Sequence, residues 1–106
     1  MGDWVAVAPA ADIPPGGRRS VDLDGTPVLV LNLGGTWHAI EDQCSHDGGA
    51  FDDGPAEGDQ IMCPRHGARF CLRTGNALSA PAYEPVHVFP LRIENGVVEI
   101  RDPRFD

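Results

Sequence analysis

The sequence predicts an all-β protein, an antiparallel β base carrying a loop-rich insert. Its 13 Gly and 10 Pro take up more than a fifth of the 106 residues. That is roughly twice the usual share, and both residues interrupt helices and build turns. The longest run free of Gly and Pro, 36–47, has twelve residues, and every other run is shorter than an ordinary helix of about 11 residues. The apolar residues near the end of the chain recur with the period of two that strands show.

In chain order, segments 4–8, 18–23, 28–33 and 37–40 are short and rich in Val, Leu and aromatic residues. Turn pairs such as Asp24-Gly25 and Gly34-Gly35 separate them, so they predict a meander. Between about 42 and 85 the texture changes to Gly, Pro, Asp and short apolar pieces, with 60–63 and 68–72 as strand candidates. Loops on a rigid base commonly carry function, and this insert is the expected functional part. Finally, Phe89, Leu91 and Ile93 alternate along one face, Asn95-Gly96 turns, and Val98 and Ile100 alternate back. Pro90 has no N–H for a ladder and is expected at an edge or a bulge. No internal repeat or linker is visible, and the expected organisation is a single domain, 1–106.

Composition excludes several function classes. A chain of 106 residues holds one core but not a catalytic domain beside a cofactor domain. With 42% hydrophobic and 23% charged residues it reads as soluble and globular, and no apolar stretch approaches the ~18 residues of a membrane span. Sixteen acids face eight bases, all of them Arg, for a net charge of -8. Such a chain repels nucleic acid and anionic membranes and is drawn to basic protein surfaces. Glu41, Asp42, Asp47, Asp52, Asp53, Glu57 and Asp59 crowd one stretch with no base before Arg65, for which a solvated loop is the ordinary reading. The first residues lack the basic region and apolar run of a secretory signal, and Ala6 stands where myristoylation wants Ser or Thr. The expected location is the cytoplasm. Three cysteines, an odd number, cannot form a complete disulfide framework and favour a reducing compartment or a metal role.

The chemistry lies in two pairs, Cys44-Ser45-His46 and Cys63-Pro64-Arg65-His66, each offering one thiolate and one imidazole. A zinc finger groups its two Cys together and its two His together, an order this sequence breaks. A Rieske 2Fe-2S centre needs two thiolates on one iron and two imidazoles on the other. Two loops that each give Cys and then His meet that need, with Cys44 and Cys63 reaching the inner iron and His46 and His66 the outer. A structural zinc site is the competing reading, and a colourless protein would betray it. Gly48, Gly49 and Gly67 beside the ligands suggest bare N–H groups approaching the cluster sulfurs.

These motifs, followed by Gly67-Ala68-Arg69-Phe70, Thr74-Gly75 and Ala80-Pro81-Ala82, resemble the Rieske family, and in particular the small Rieske-type ferredoxins of ring-hydroxylating dioxygenase systems. The resemblance spans roughly 42 to the end of the chain. It implies the Rieske iron-sulfur fold, one 2Fe-2S cluster held by Cys44, His46, Cys63 and His66, and a cluster covered by the loop at 80–82. High-potential members of the family carry an extra Cys in each loop, joined as a disulfide, and Ser and Tyr hydroxyls that donate to the cluster. Gly49, Arg65, Ala68 and Phe70 stand there instead, which places the expected potential at the low end of the range of about -150 to +300 mV. Asp47 would lower it further if its carboxylate faced the cluster rather than solvent.

The remaining candidates have ordinary readings. Cys71 is expected to pack in a strand, because free Cys is among the most buried residue types. His38 and His87 are expected on strand surfaces, and Trp4 and Trp37 as core or edge aromatics. The resemblance implies an electron carrier, not an enzyme: a monomeric ferredoxin that accepts one electron from a flavin-dependent reductase and delivers it to a terminal oxygenase. Its docking would be steered by the acidic stretch and slowed by salt. Two imidazole ligands would also make the potential fall with pH once their oxidised-state pKa values are passed. The competing roles are an accessory protein of iron-sulfur assembly and the small subunit of a nitrite reductase. Neighbouring genes would separate all three.

Overall fold

The computed structural model describes residues 3–45, 47–51 and 54–105. Among these, nine strands form three antiparallel three-stranded sheets, and there is no α-helix. The strands are β1 (Val5–Pro9), β2 (Arg18–Leu23), β3 (Thr26–Leu33), β4 (Thr36–Glu41), β5 (Ala56–Glu57), β6 (Gln60–Met62), β7 (Arg69–Cys71), β8 (Leu91–Glu94) and β9 (Val97–Ile100). The sheet orders are β2-β3-β4, β1-β9-β8 and β5-β6-β7.

The middle of the molecule is β3, whose apolar residues run without interruption and are buried on both faces. Because side chains alternate along a strand, Leu29 and Leu31 go to one side and Val28 and Val30 to the other. Val28 and Val30 pack with Ala8, Ile13, Leu23, Ala39, Phe89, Val98 and Ile100, which joins the central sheet to the β1-β9-β8 sheet. Leu29 and Leu31 pack with Ile40, Phe51, Ile61, Phe70, Leu72, Val86 and the thiols of Cys44 and Cys63. The site is therefore built on the outer face of the sheet that forms the middle layer.

Sequence-predicted strands and turns appear within a residue or two of their expected bounds, and β2-β3-β4 is a meander. Asp24-Gly25 and Asn95-Gly96 both have positive φ at each residue, the backbone that two-residue hairpin turns require. Two readings are corrected. The first strand does not join the meander; it pairs with β9 at the far end of the chain, Val5 opposite Ile100. Phe89, Leu91 and Ile93 do not share one hairpin face. Phe89 N–H bonds to Ala39 O at 2.9 Å, so that residue serves β4, while Ile93 is 43% exposed. Pro90 precedes β8, an edge strand, where its missing N–H breaks no ladder.

Candidate metal centre

Both cysteine pairs stand at the start of matching turns. Cys44 N–H donates to Gly49 O (2.8 Å) and Gly48 N–H to Cys44 O (2.7 Å). Cys63 N–H donates to Ala68 O (2.8 Å) and Gly67 N–H to Cys63 O (2.9 Å). Gly48 and Gly67 sit at φ +76° and +75°, a region where a side chain costs about 1–2 kcal/mol. The spacing Cys-x-x-x-Gly is thus a backbone requirement of the turn. A third copy, Cys71 to Gly75, makes the same bonds, Cys71 N–H to Asn76 O (2.9 Å) and Gly75 N–H to Cys71 O (2.7 Å). The sequence led us to expect no internal repeat, and the backbone corrects this: the same short turn recurs three times.

Core residues fix the turns in place. Cys44 and Cys63 are 1% and 0% exposed. In the same core cluster Phe51 and Phe70 meet edge to face at 5.4 Å. Asp42 is buried, not solvated. Its carboxylate accepts from Phe51 N–H (2.8 Å) and Ser20 Oγ (3.2 Å), which orients the first loop. Ser45 Oγ donates to Glu84 O at 2.6 Å and ties that loop to the segment just after 80–82, and Ala82 is buried in the same core cluster as the two thiols.

The ligand atoms of Cys44, Asp47 and Cys63 lie within 4.8 Å of one another. Asp47 therefore turns toward the thiols rather than away. It does not carry a bare charge there, because Arg65 reaches across from the second loop, Nε to Oδ2 at 2.6 Å and Nη2 to Oδ1 at 3.1 Å. Gly49 N–H adds a third bond at 2.9 Å. Led by the Arg65 bonds, these hold the Asp47 carboxyl far below the usual carboxylate range and raise the Arg65 guanidinium further. His66 Nε2 lies 3.1 Å from Asp47 Oδ2, and its side chain is 42% exposed. His46 lies outside the described residues, as do Asp52 and Asp53.

Several expectations about the insert need correction. The N–H groups of Gly48, Gly49 and Gly67 are engaged within the loops. The glycines are there for positive φ at 48 and 67 and for room at 49, where a Cβ would meet the Arg65 guanidinium at 2.6 Å. Of the described acids in the acidic stretch, only Asp42 departs from the solvated reading, while the others stay at least partly exposed, two of them in ion pairs. Asp42 is internal, Asp47 pairs with Arg65, and Asp59 pairs with Arg73 at 2.8 Å. His38 is 7% exposed rather than on the surface, and burial pushes its pKa down. Cys71 is buried as expected, with its thiol shifted down chiefly by a hydrogen bond with the Thr74 side chain. Among the described residues no helix is long and apolar enough to cross a membrane.

Two buried thiols on matching turns, with an imidazole at the rim, fit the mixed S/N donor set of a Rieske centre, and known proteins agree. A family model for the Rieske [2Fe-2S] domain matches residues 3–90. The 3-phenylpropionate/cinnamic acid dioxygenase ferredoxin subunit of Escherichia coli (strain K12) is 40% identical over 101 residues, 93% of each chain. A chain in the complex of reduced oxygenase and oxidized ferredoxin of carbazole 1,9a-dioxygenase is 35% identical over 92% of both chains, with a TM-score of 0.85. The putative NADH-dependent nitrite reductase small subunit of Mycobacterium tuberculosis superposes with a TM-score of 0.86 over 96% of both chains at 23% identity, and shares the fold. The chain belongs to the Rieske [2Fe-2S] domain family and is an electron-transfer ferredoxin with one Rieske-type cluster.

Proposed function

We propose that Cys44, His46, Cys63 and His66 hold the cluster, and that the chain, a single domain over 1–106 working as a cytoplasmic monomer, carries one electron from a flavin-dependent reductase to a terminal oxygenase. The observation that supports this most is the pair of buried thiols, Cys44 and Cys63, placed within 4.8 Å of a common carboxylate by two matching turns. When bound, a Rieske cluster takes up and releases a single electron. The protein contributes the rest. The core behind the thiols excludes water, and the exposed edge of His66 gives an electron a short way out to a docked acceptor. The relatives at 35–40% identity are a dioxygenase ferredoxin subunit and a chain from a dioxygenase complex, whereas the nitrite reductase subunit shares the fold at lower identity. That ordering favours an oxygenase as the acceptor.

The test is reconstitution with the reductase and terminal oxygenase of a 3-phenylpropionate dioxygenase. The holoprotein is expected to restore NADH-dependent product formation, and the Cys44→Ser protein to give none. Reduction by the reductase without any transfer to the oxygenase would point to a different acceptor. With a net charge of -8, the rate is expected to fall as ionic strength rises from low to physiological values. A rate indifferent to salt would overturn electrostatic steering.

A further inference from the structure

Among the described residues, Arg65 reaches the other cysteine loop through Asp47 Oδ2 at 2.6 Å, Asp47 Oδ1 at 3.1 Å, Ala50 O at 2.6 Å, and the bare face of Gly49. The carboxylate it grips is itself fixed by Gly49 N–H and lies within 4.8 Å of both cysteine sulfurs. We propose that Arg65 and Asp47 form a neutral clasp, which locks the two loops together around the cluster and cancels the charge that Asp47 would otherwise place beside it. This rests on the cluster lying between Cys44 and Cys63.

The two parts of the clasp have separable consequences. Geometry comes from the planar guanidinium, whose fork reaches both carboxylate oxygens while a third nitrogen bonds the Ala50 carbonyl; a lysine supplies the charge but not the fork. Gly49 is part of the same device, since any side chain there would displace the guanidinium. Charge acts on the electron directly. Reduction adds a negative charge to the cluster, so an uncompensated carboxylate nearby disfavours it and an uncompensated guanidinium favours it. Arg65 and Asp47 are positioning residues, not ligands.

The experiment measures midpoint potential and the rate of cluster loss to a chelator for wild type, Arg65→Gln, Asp47→Asn, the double variant and Arg65→Lys. The potential is expected to move negative in R65Q, positive in D47N, and back close to wild type in the double variant. R65K is expected to keep the wild-type potential while losing its cluster several-fold faster. Potentials that do not move, or that move in the same direction in R65Q and D47N, would overturn the charge argument, and an R65K protein that holds its cluster as long as wild type would overturn the clasp. If R65Q cannot hold a cluster, D47N and R65K still decide both points. A wild-type protein without a Rieske signal would instead sink the functional reading.

Discussion

The turns at Cys44, Cys63 and Cys71 close with the same two backbone hydrogen bonds and the same left-handed glycine, yet only the first two belong to the proposed site. What separates them is what stands inside and what fastens them from outside. The first two contain a histidine each, start from fully buried thiols and are bridged by Arg65 to Asp47. The third contains Leu72, Arg73 and Thr74, and its fastening is Leu72 N–H to Asp59 O at 2.7 Å with an exposed Arg73–Asp59 pair. The turn is thus a backbone device for presenting a cysteine. Metal chemistry comes from the residues placed within it.

The largest effect expected from this contrast is on the cluster itself. Cys44→Ser or Cys63→Ser should remove the visible absorbance altogether, while Cys71→Ser should keep it, its thiol being engaged with Thr74 in the third turn. Bleaching in Cys71→Ser would break the division between the turns.

The next effect concerns what holds the first two turns together. Phe51 is 0% exposed and lies against Phe70. Phe51→Ala should cost about 3–5 kcal/mol, read as a thermal midpoint lowered by well over ~10 °C. A smaller loss would mean that the loops, and not the core, set their own position.

The glycines sharpen the comparison further. At Gly48 and Gly67 an added Cβ meets open space or only an ordinary contact, so Gly→Ala should cost the ~1–2 kcal/mol of left-handed backbone. At Gly75, also left-handed at φ +81°, the Cβ would in addition collide with the Val86 carbonyl oxygen. Gly75→Ala should therefore be the most destabilising of the three in thermal unfolding, although it lies outside the site. Equal losses at all three would remove that distinction.

The smallest effect belongs to the outer fastening of the third turn. The Arg73 and Asp59 side chains are 70% and 43% exposed, and an exposed ion pair contributes about 0–1 kcal/mol. Arg73→Ala should leave the unfolding midpoint and the midpoint potential nearly unchanged, in contrast to Arg65→Gln. An Arg73 variant with a shifted potential would contradict the view that only the Arg65 bridge speaks to the cluster.

How far the sequence revealed all this depended on the range of the interaction. Turns with their own chemistry, Asp24-Gly25 and Asn95-Gly96, were readable because two adjacent residues settle them. So was the strand at 28–33, from its run of Val and Leu, although its burial on both faces came only with the fold. The pairing of β1 with β9 was not, because apolar alternation says that a strand exists and not which distant edge it meets. At the site, Cys44 and Cys63 were legible from spacing. The direction of Asp47 and the bridge to Arg65 were not, since a charge run looks solvated until the fold supplies a partner from another loop. The one hint was that Arg65 is the first base after the acidic stretch and stands between Cys63 and His66. Asp42 was hidden for the same reason: its two partners, Phe51 N–H and the Ser20 hydroxyl, lie on either side of it in sequence.

The central claim is that the Cys44 and Cys63 turns carry a Rieske cluster working at low potential. The most direct measurement is the EPR spectrum of the dithionite-reduced protein, with its midpoint potential titrated in the same sample. A rhombic signal of low average g and a negative midpoint, toward the lower end of the range of about -150 to +300 mV, is the expected result. A colourless, EPR-silent protein containing zinc would contradict it.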